Sequence, residues 1–260
     1  MDKLSVVKIG GNVIEDAAAL QSFLTDFAQI QGFKILVHGG GKKATDMAEK
    51  MDIPVQMVEG RRITDAENLD IIIMLYGGKI NKNIVAQLQN LGCNALGLSG
   101  ADGNAIQAVK RPVKSIDYGF VGDVVGVNNA LFQILLKGGY TPVCCAITHD
   151  QKGQLLNTNA DTIAATLAQS LSQSFDVSLW YCFENQGVLE NIDDDGSVIE
   201  TITPQKYMNL KTAQVIHSGM IPKIDNCFYA LSNGVTEVKI GAPEMISGNT
   251  QHTTLILEDE

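Results

Sequence analysis

The stretch Phe33-Lys-Ile-Leu-Val-His-Gly-Gly-Gly-Lys-Lys43 decides how the chain is read. Its short apolar run, Ile35-Leu36-Val37, suits a strand buried on both faces. Gly39, Gly40 and Gly41 follow at once, and then Ala44, Met47, Ala48 and Met51 recur at the spacing of one helix face. Strand, glycine turn and helix together aim backbone N–H groups and a helix N-terminus at an anion. Glycine serves such a turn because a Cβ would block both positive φ and the close approach of a ligand. A tight strand-to-helix turn with no ligand accounts for the same residues, so partners elsewhere must decide. The Walker spacing G-x-x-x-x-G-K-[ST] is absent.

Toward the N-terminus, Leu4 to Ile9 reads as a strand with Lys8 near its end, followed by Gly10-Gly11-Asn12. A lysine at the carboxyl end of a buried strand, beside two glycines, sits where open α/β sheets bind ligands. A lysine reaching water from the edge of a sheet is the ordinary alternative. The segment Glu15 to Ile30 predicts one amphipathic helix, with Leu20, Phe23, Leu24, Phe27 and Ile30 on a stripe, and this completes a βαβ unit.

Toward the C-terminus, Ile53 to Ile63 predicts a hairpin rimming a cleft and carrying Arg61 and Arg62. The planar arginine fork suits a carboxylate ligand, and surface salt-bridging fits the pair equally well. Thr64 is placed to cap the next helix. Helix 65–76 is apolar around most of its circumference, so it is deeply buried or forms a subunit interface, and it is expected to dimerise the protein. Gly77-Gly78 should kink it before Ile80 to Leu91 continues. Strands are expected at Ala95–Leu98, in a ribbon of 106–109 with 119–127, and at Tyr140–Ile147, with a helix from Asn128-Asn129 to Leu136. Asn157, Asn159 and Asp161 share one side of an extended segment ahead of a helix starting at Thr162. Caps and Asx-turns use such residues too, but one cap needs one residue, and the excess favours a site.

Beyond them, Val177 to Cys182 is a strand, Asp193-Asp194-Asp195 a solvated hairpin tip, and Thr203 to Leu210 a short helix. Lys223 falls in the first turn of a helix, where the macrodipole disfavours a cation, which marks it for function. Val235 to Ile240 closes as a strand, and Thr253 to Leu257 adds an edge strand.

The 260 residues allow one large α/β domain or two lobes sharing a sheet. A net charge of −10 argues against nucleic acid and acidic membranes as partners. Any anionic ligand must therefore be held by locally placed lysine, arginine and backbone donors. Five cysteines without C-x-x-C spacing read as buried thiols in a reducing cytosol. No charged-plus-apolar leader and no membrane-length apolar run is present, so a cytoplasmic protein with no membrane partner is expected.

Five motifs occur in order: Lys8-Ile-Gly-Gly11, Val37-His-Gly-Gly-Gly41, Gly60-Arg-Arg-Ile-Thr64, Leu156-Asn-Thr-Asn-Ala-Asp161 and Gly219-Met-Ile-Pro-Lys223. Together they resemble the amino acid kinase family, and within it the branch acting on N-acylated glutamate. The resemblance implies an open, mainly parallel three-layer α/β/α sheet with two lobes. Residues 1–172 would bind the acylglutamate and dimerise, and 173–260 would bind ATP. It implies ATP-dependent phosphorylation of the side-chain carboxylate of an N-acyl-L-glutamate, N-acetyl-L-glutamate by default, to an acyl phosphate in arginine biosynthesis. Lys8, Lys223 and Asp161 match the family's catalytic residues. Gly40, Gly41, Asn159, Arg62 (at the α-carboxylate) and Asn157 (near the acyl amide) match its substrate site. Gly10, Gly11, Glu184, Gly187, His217 and Gly219 fall to the nucleotide and its phosphates. Mg²⁺ would enter with those phosphates, with no protein metal site.

An ionised carboxylate is already a nucleophile at neutral pH, so the lack of a Ser-His-Asp or H-E-x-x-H arrangement is no objection. The chain departs from the family at Phe183-Glu184, where an aspartate is usual in place of Glu184. Arginine-inhibited members carry an N-terminal helical extension; here a strand begins at Leu4, so a dimer insensitive to arginine is expected. Three alternatives stay open: N-succinyl-L-glutamate as acceptor, another carboxylate or carbamate kinase, and a non-catalytic amino-acid or nucleotide sensor. Arg62 and Asn157 speak against a carbamate-sized acceptor, and the two lysines speak against a sensor.

Overall fold

Two strands of branched apolar residues, β1 (Lys3–Ile9) and β2 (Phe33–His38), lie in the middle of the main sheet. Val6 to Ile9 and Ile35 to Val37 are fully or almost fully buried, as strands covered on both faces require. The computed structural model describes residues 1–58, 60–191, 193–194, 196–216, 220–248 and 250–257. Between and after the two strands come α1 (Gly11–Glu15), α2 (Ala17–Gln29), α3 (Gly41–Lys50), β3 (Gln56–Val58), β4 (Arg61–Ile63), α4 (Ala66–Ile72), a π-helical segment (Ile73–Ile80) and α5 (Asn81–Asn90). Next are β5 (Ala95–Leu98), β6 (Ile106–Lys110), β7 (Gly122–Val127), α6 (Asn129–Lys137), β8 (Thr141–Cys145), β9 (Ile147–His149), β10 (Leu155–Asn157) and α7 (Ala160–Leu171). The chain continues through β11 (Asp176–Cys182), β12 (Thr201–Ile202), α8 (Pro204–Thr212), α9 (Ile221–Ser232), β13 (Glu237–Gly241) and β14 (Thr253–Leu255).

The eight-stranded sheet runs β12-β14-β13-β11-β1-β2-β8-β5 and is parallel except for the β13–β14 pair. This is the expected open, mainly parallel α/β/α sheet. β1 pairs with β2 on one side and with β11 on the other, from Lys3↔Asp176 to Ile9↔Cys182. The connections therefore depart in opposite directions from β1, and such a switch point leaves a crevice at the carboxyl ends of the strands. Lys8 stands there. A second sheet, β10-β9-β6-β7, and the hairpin β3–β4 overhang the same end. α7 packs on β1, β2, β11 and α9, so the two halves of the sheet share one helix.

Several local expectations are corrected. The predicted helix Glu15–Ile30 is α2, Ala17–Gln29, which starts later because Asp16 caps it by accepting from the N–H groups of Ala18 and Ala19, while Glu15 ends the short α1. Asp65, not Thr64, caps α4 by accepting from the Asn68 N–H, while Thr64 is buried as a bridge to Gly119. Gly77-Gly78 produce no break; the helix widens to π geometry over Ile73–Ile80 and runs straight into α5. The single strand expected over Tyr140–Ile147 divides, with β8 in the main sheet and β9 in the second. Helix α7 begins at Ala160, not Thr162, capped by Asn159. β14 is not an edge strand, since β12 lies outside it.

Candidate active site

The carboxyl ends of β1, β2 and β11 open into two adjoining chambers, of about 790 and 670 Å³. Both are lined by Lys8, Gly11, Phe183, Lys223 and Ile240, so these residues form the junction. Lys8 Nζ lies 5.1 Å and Lys223 Nζ 4.5 Å from the centre of the Phe183 ring. Two ammonium groups from parts of the chain 215 residues apart thus approach one aromatic ring, a favourable contact for each. Lys8 is buried and pairs with Asp161 Oδ1 at 2.8 Å. That oxygen accepts no well-directed hydrogen bond among the described residues, so charge governs the contact. The Tyr181 hydroxyl donates to the Asp161 carbonyl at 3.2 Å, and burial raises its pKa well above the usual phenol range. It therefore remains a neutral donor that fixes the first turn of α7.

The larger chamber holds the residues expected to take the acceptor, Gly40, Gly41, Arg62, Asn157 and Asn159, together with Asp161. Gly40 has φ +153°, and a Cβ there would meet Ile80 Cδ1. The turn is folded directly onto the π-helical segment, whose Tyr76 and Ile80 support it. Buried Arg62 donates from Nη2 to the Gly41 carbonyl (2.9 Å) and Thr45 Oγ1 (2.6 Å), and from Nη1 to Asn68 Oδ1 (3.3 Å). These three contacts leave further guanidinium donors for a ligand. Asn157 donates to Thr64 Oγ1 at 3.0 Å and Asn159 caps α7 at Thr162 N. Each of the three polar residues of this stretch therefore has a partner within the fold and still faces the chamber.

The smaller chamber holds Gly10, Gly11, Glu184 and Gly187. The Asn12 amide donates to Glu184, so the residue that departs from the family pattern is tied to the glycine turn after β1. At Gly187 a Cβ would stand 2.7 Å from Thr253 Oγ1, which gives that glycine a packing reason as well. His217 and Gly219 lie outside the described residues. Helices α3, α7 and α9 begin at Gly41, Ala160 and Ile221, so three helix N-termini contribute to the crevice.

Several contributors were not read from the sequence. Phe183 follows the strand ending at Cys182 with no sequence feature to mark it, yet both lysines lie over its ring. His38 Nδ1–H donates to the Gly39 carbonyl (2.9 Å), and its Nε2 accepts from Asn81 Nδ2 (3.1 Å), which also donates to the Val143 carbonyl. Burial pushes the His38 pKa down to about 4, so the ring is neutral and anchors the glycine turn. Asn81 is buried where the apolar π-helical segment passes into the mostly polar sequence of α5, so its neighbours in the chain do not mark it. Arg111 also lines the acceptor chamber. No three histidine, cysteine, aspartate or glutamate side chains converge as a metal site among the described residues, and no described helix is long and apolar enough to cross a membrane.

An α/β sheet with two chambers meeting at a pair of lysines defines a small-molecule kinase. The chain belongs to the amino acid kinase family, whose model matches residues 3–242. It is 52% identical over 239 residues to the acetylglutamate kinase of Phocaeicola vulgatus, covering 92% of this chain and 93% of that one. It is 54% identical over 247 residues to the acetylglutamate kinase of Cytophaga hutchinsonii, covering 95% and 94%. A solved structure of the smu.665 protein from Streptococcus mutans superimposes with a TM-score of 0.78 at 26% identity, covering 98% of this chain and 99% of that one.

Proposed function

We propose that this protein transfers the γ-phosphoryl group of ATP to the side-chain carboxylate of an N-acyl-L-glutamate, giving the acyl phosphate in arginine biosynthesis. N-acetyl-L-glutamate is the default acceptor, as the relatives' names support. The observation that carries the reading is the junction of the two chambers at Lys8 and Lys223. A carboxylate oxygen attacks γ-phosphorus as the bond to the β,γ-bridging oxygen of ATP breaks, and ADP leaves with that electron pair. No proton has to move, so the burden falls on neutralising equatorial and leaving oxygens. Lys8 and Lys223 do this, with Asp161 orienting Lys8. Backbone N–H groups at Gly11, Gly40 and Gly41 add donors, Arg62 holds the α-carboxylate and Asn157 the acyl amide. Gly10, Glu184 and Gly187 serve the nucleotide.

Mg²⁺ would enter with the nucleotide, held mainly by its phosphates, whose charge it would screen. Residues 1–172 would form the acceptor lobe and 173–260 the nucleotide lobe. A homodimer through helix 65–76 would use the narrow face around Met74, which is 54% exposed, since Leu69, Ile71, Ile72, Leu75 and Tyr76 are buried within the subunit. A cytoplasmic setting suits five buried free cysteines. The test is trapping of the acyl phosphate with hydroxylamine after incubation with MgATP and N-acetyl-L-glutamate. Hydroxamate from acylated but not free glutamate is expected; none from any N-acylglutamate would overturn the assignment.

A further inference from the structure

Arg111, the residue after β6, brings to the acceptor chamber a cation that the reaction above does not use. Its Nε and Nη2 donate to Asp123 Oδ1 at 2.9 and 2.6 Å, and the guanidinium lies 5.4 Å from the Tyr118 ring. The remaining nitrogen, Nη1, is shut off from water, and no described residue accepts a hydrogen bond from it. Asp123 occupies two of the five guanidinium N–H groups, so Arg111, which lines the chamber, keeps donors for a ligand oxygen.

The position of Arg111 says which part of the ligand this is. Arg111 N donates to the Val121 carbonyl at 2.8 Å, and Val121 in turn bridges to Asn157. Asn157, the residue proposed for the acyl amide, and Arg111 therefore flank Val121 on adjacent backbone segments. An acyl chain leading away from that amide across Val121 reaches the guanidinium. Charge points the same way: among the described residues the chamber is lined by Lys8, Lys42, Arg61, Arg62, Arg111 and Lys223 against Asp161 alone. Lys42 is paired with Glu15 at 2.5 Å, Arg61 is exposed, and Arg111 shares Asp123 at 2.6 Å while keeping N–H groups to spare. Lys8 and Lys223 serve the transferred group and Arg62 the α-carboxylate. An acetyl group ends in a methyl and offers Arg111 nothing.

We infer that the acceptor chamber takes N-acylglutamates whose acyl arm ends in a second carboxylate, the half-amide of a short dicarboxylic acid such as succinyl, with Arg111 as the residue that selects it. The inference rests on the N-acylglutamate kinase reading. The test measures kcat/KM of the wild-type protein with N-acetyl- and N-succinyl-L-glutamate by hydroxylamine trapping, and repeats both with Arg111→Gln. A charge-assisted contact predicts a preference for the succinyl compound on the order of tenfold or more, carried mainly in KM, and a collapse of the ratio toward one in the variant. Calorimetric binding of each acceptor to wild-type protein without nucleotide should show the same order. Preference for the acetyl compound in wild-type protein would overturn the inference and leave the kinase reading standing. Equal losses on both acceptors in Arg111→Gln would also overturn it, by assigning the arginine to a part the two molecules share. No hydroxamate from either acceptor would remove both readings.

Discussion

Lys8 and Lys223 face the same aromatic ring, and their roles are separable by kinetics. If both act on the migrating phosphoryl group, Lys8→Ala and Lys223→Ala should each lower kcat by on the order of 10²-fold or more, with little change in KM. A change confined to KM would reassign that lysine to ground-state binding. Arg62→Ala should instead raise KM for the acylglutamate, read in steady-state kinetics with ATP saturating; an unchanged KM would take it out of the site. His38 makes a prediction about stability. Its folded pKa, about 4, lies below the ordinary 6.5, so the unfolded chain takes up the proton first as pH falls. The stabilisation is therefore complete above about pH 6.5 and is lost progressively between there and about pH 4, amounting to on the order of 3 kcal/mol. Urea unfolding at several pH values should show that slope in wild-type protein and less of it in His38→Gln; equal slopes would refute the assignment. The sequence marked the two lysines by their places on strand and helix. It gave no sign of Phe183 beneath them, because a shared ring is a contact across the sheet.

Among the elements, the glycine turn and the π-helical segment act as one unit. A Cβ on Gly40 would lie 2.4 Å from Ile80 Cδ1 and 3.0 Å from Tyr76 Cε1, at a φ that side chains avoid. Gly40→Ala should thus destabilise the protein by about 1–3 kcal/mol through overpacking and strain. Adding Ile80→Ala should relieve the clash and restore part of the loss relative to the two single variants, measured as a double-mutant cycle in urea. Strict additivity would show that turn and helix are not coupled. Periodicity revealed helices on both sides of Gly77-Gly78 but could not reveal the π geometry. An extra residue in one turn is set by what the helix packs on, here the turn bearing Gly40 and strand β9 near Gly77. The start of α2 after Asp16 was legible in principle, since an aspartate before an alanine run is an N-cap signal.

For the whole molecule, the decisive feature is that β1 belongs to both halves of one sheet. Unfolding should then be a single event although the ligands are divided between two chambers. Trp180 is the sole tryptophan and lies on β11, so its fluorescence reports the second half, while far-UV circular dichroism reports all helices. The two denaturation curves should coincide; separated midpoints would mean independent lobes. The sequence alone determined the strand–glycine–helix units, the parallel α/β class, the family and the polar residues that line the crevice. These follow from local periodicity, glycine conformational freedom and motif order, all of which survive in one dimension. Only the tertiary structure decided that Lys8 and Lys223 meet over Phe183, that Asn81 and His38 anchor the glycine turn, and that Arg111 enters the acceptor chamber with an unused donor. Those facts depend on strand order and on what each side chain is packed against, and pairings between residues tens to hundreds of positions apart leave no periodic trace in the chain.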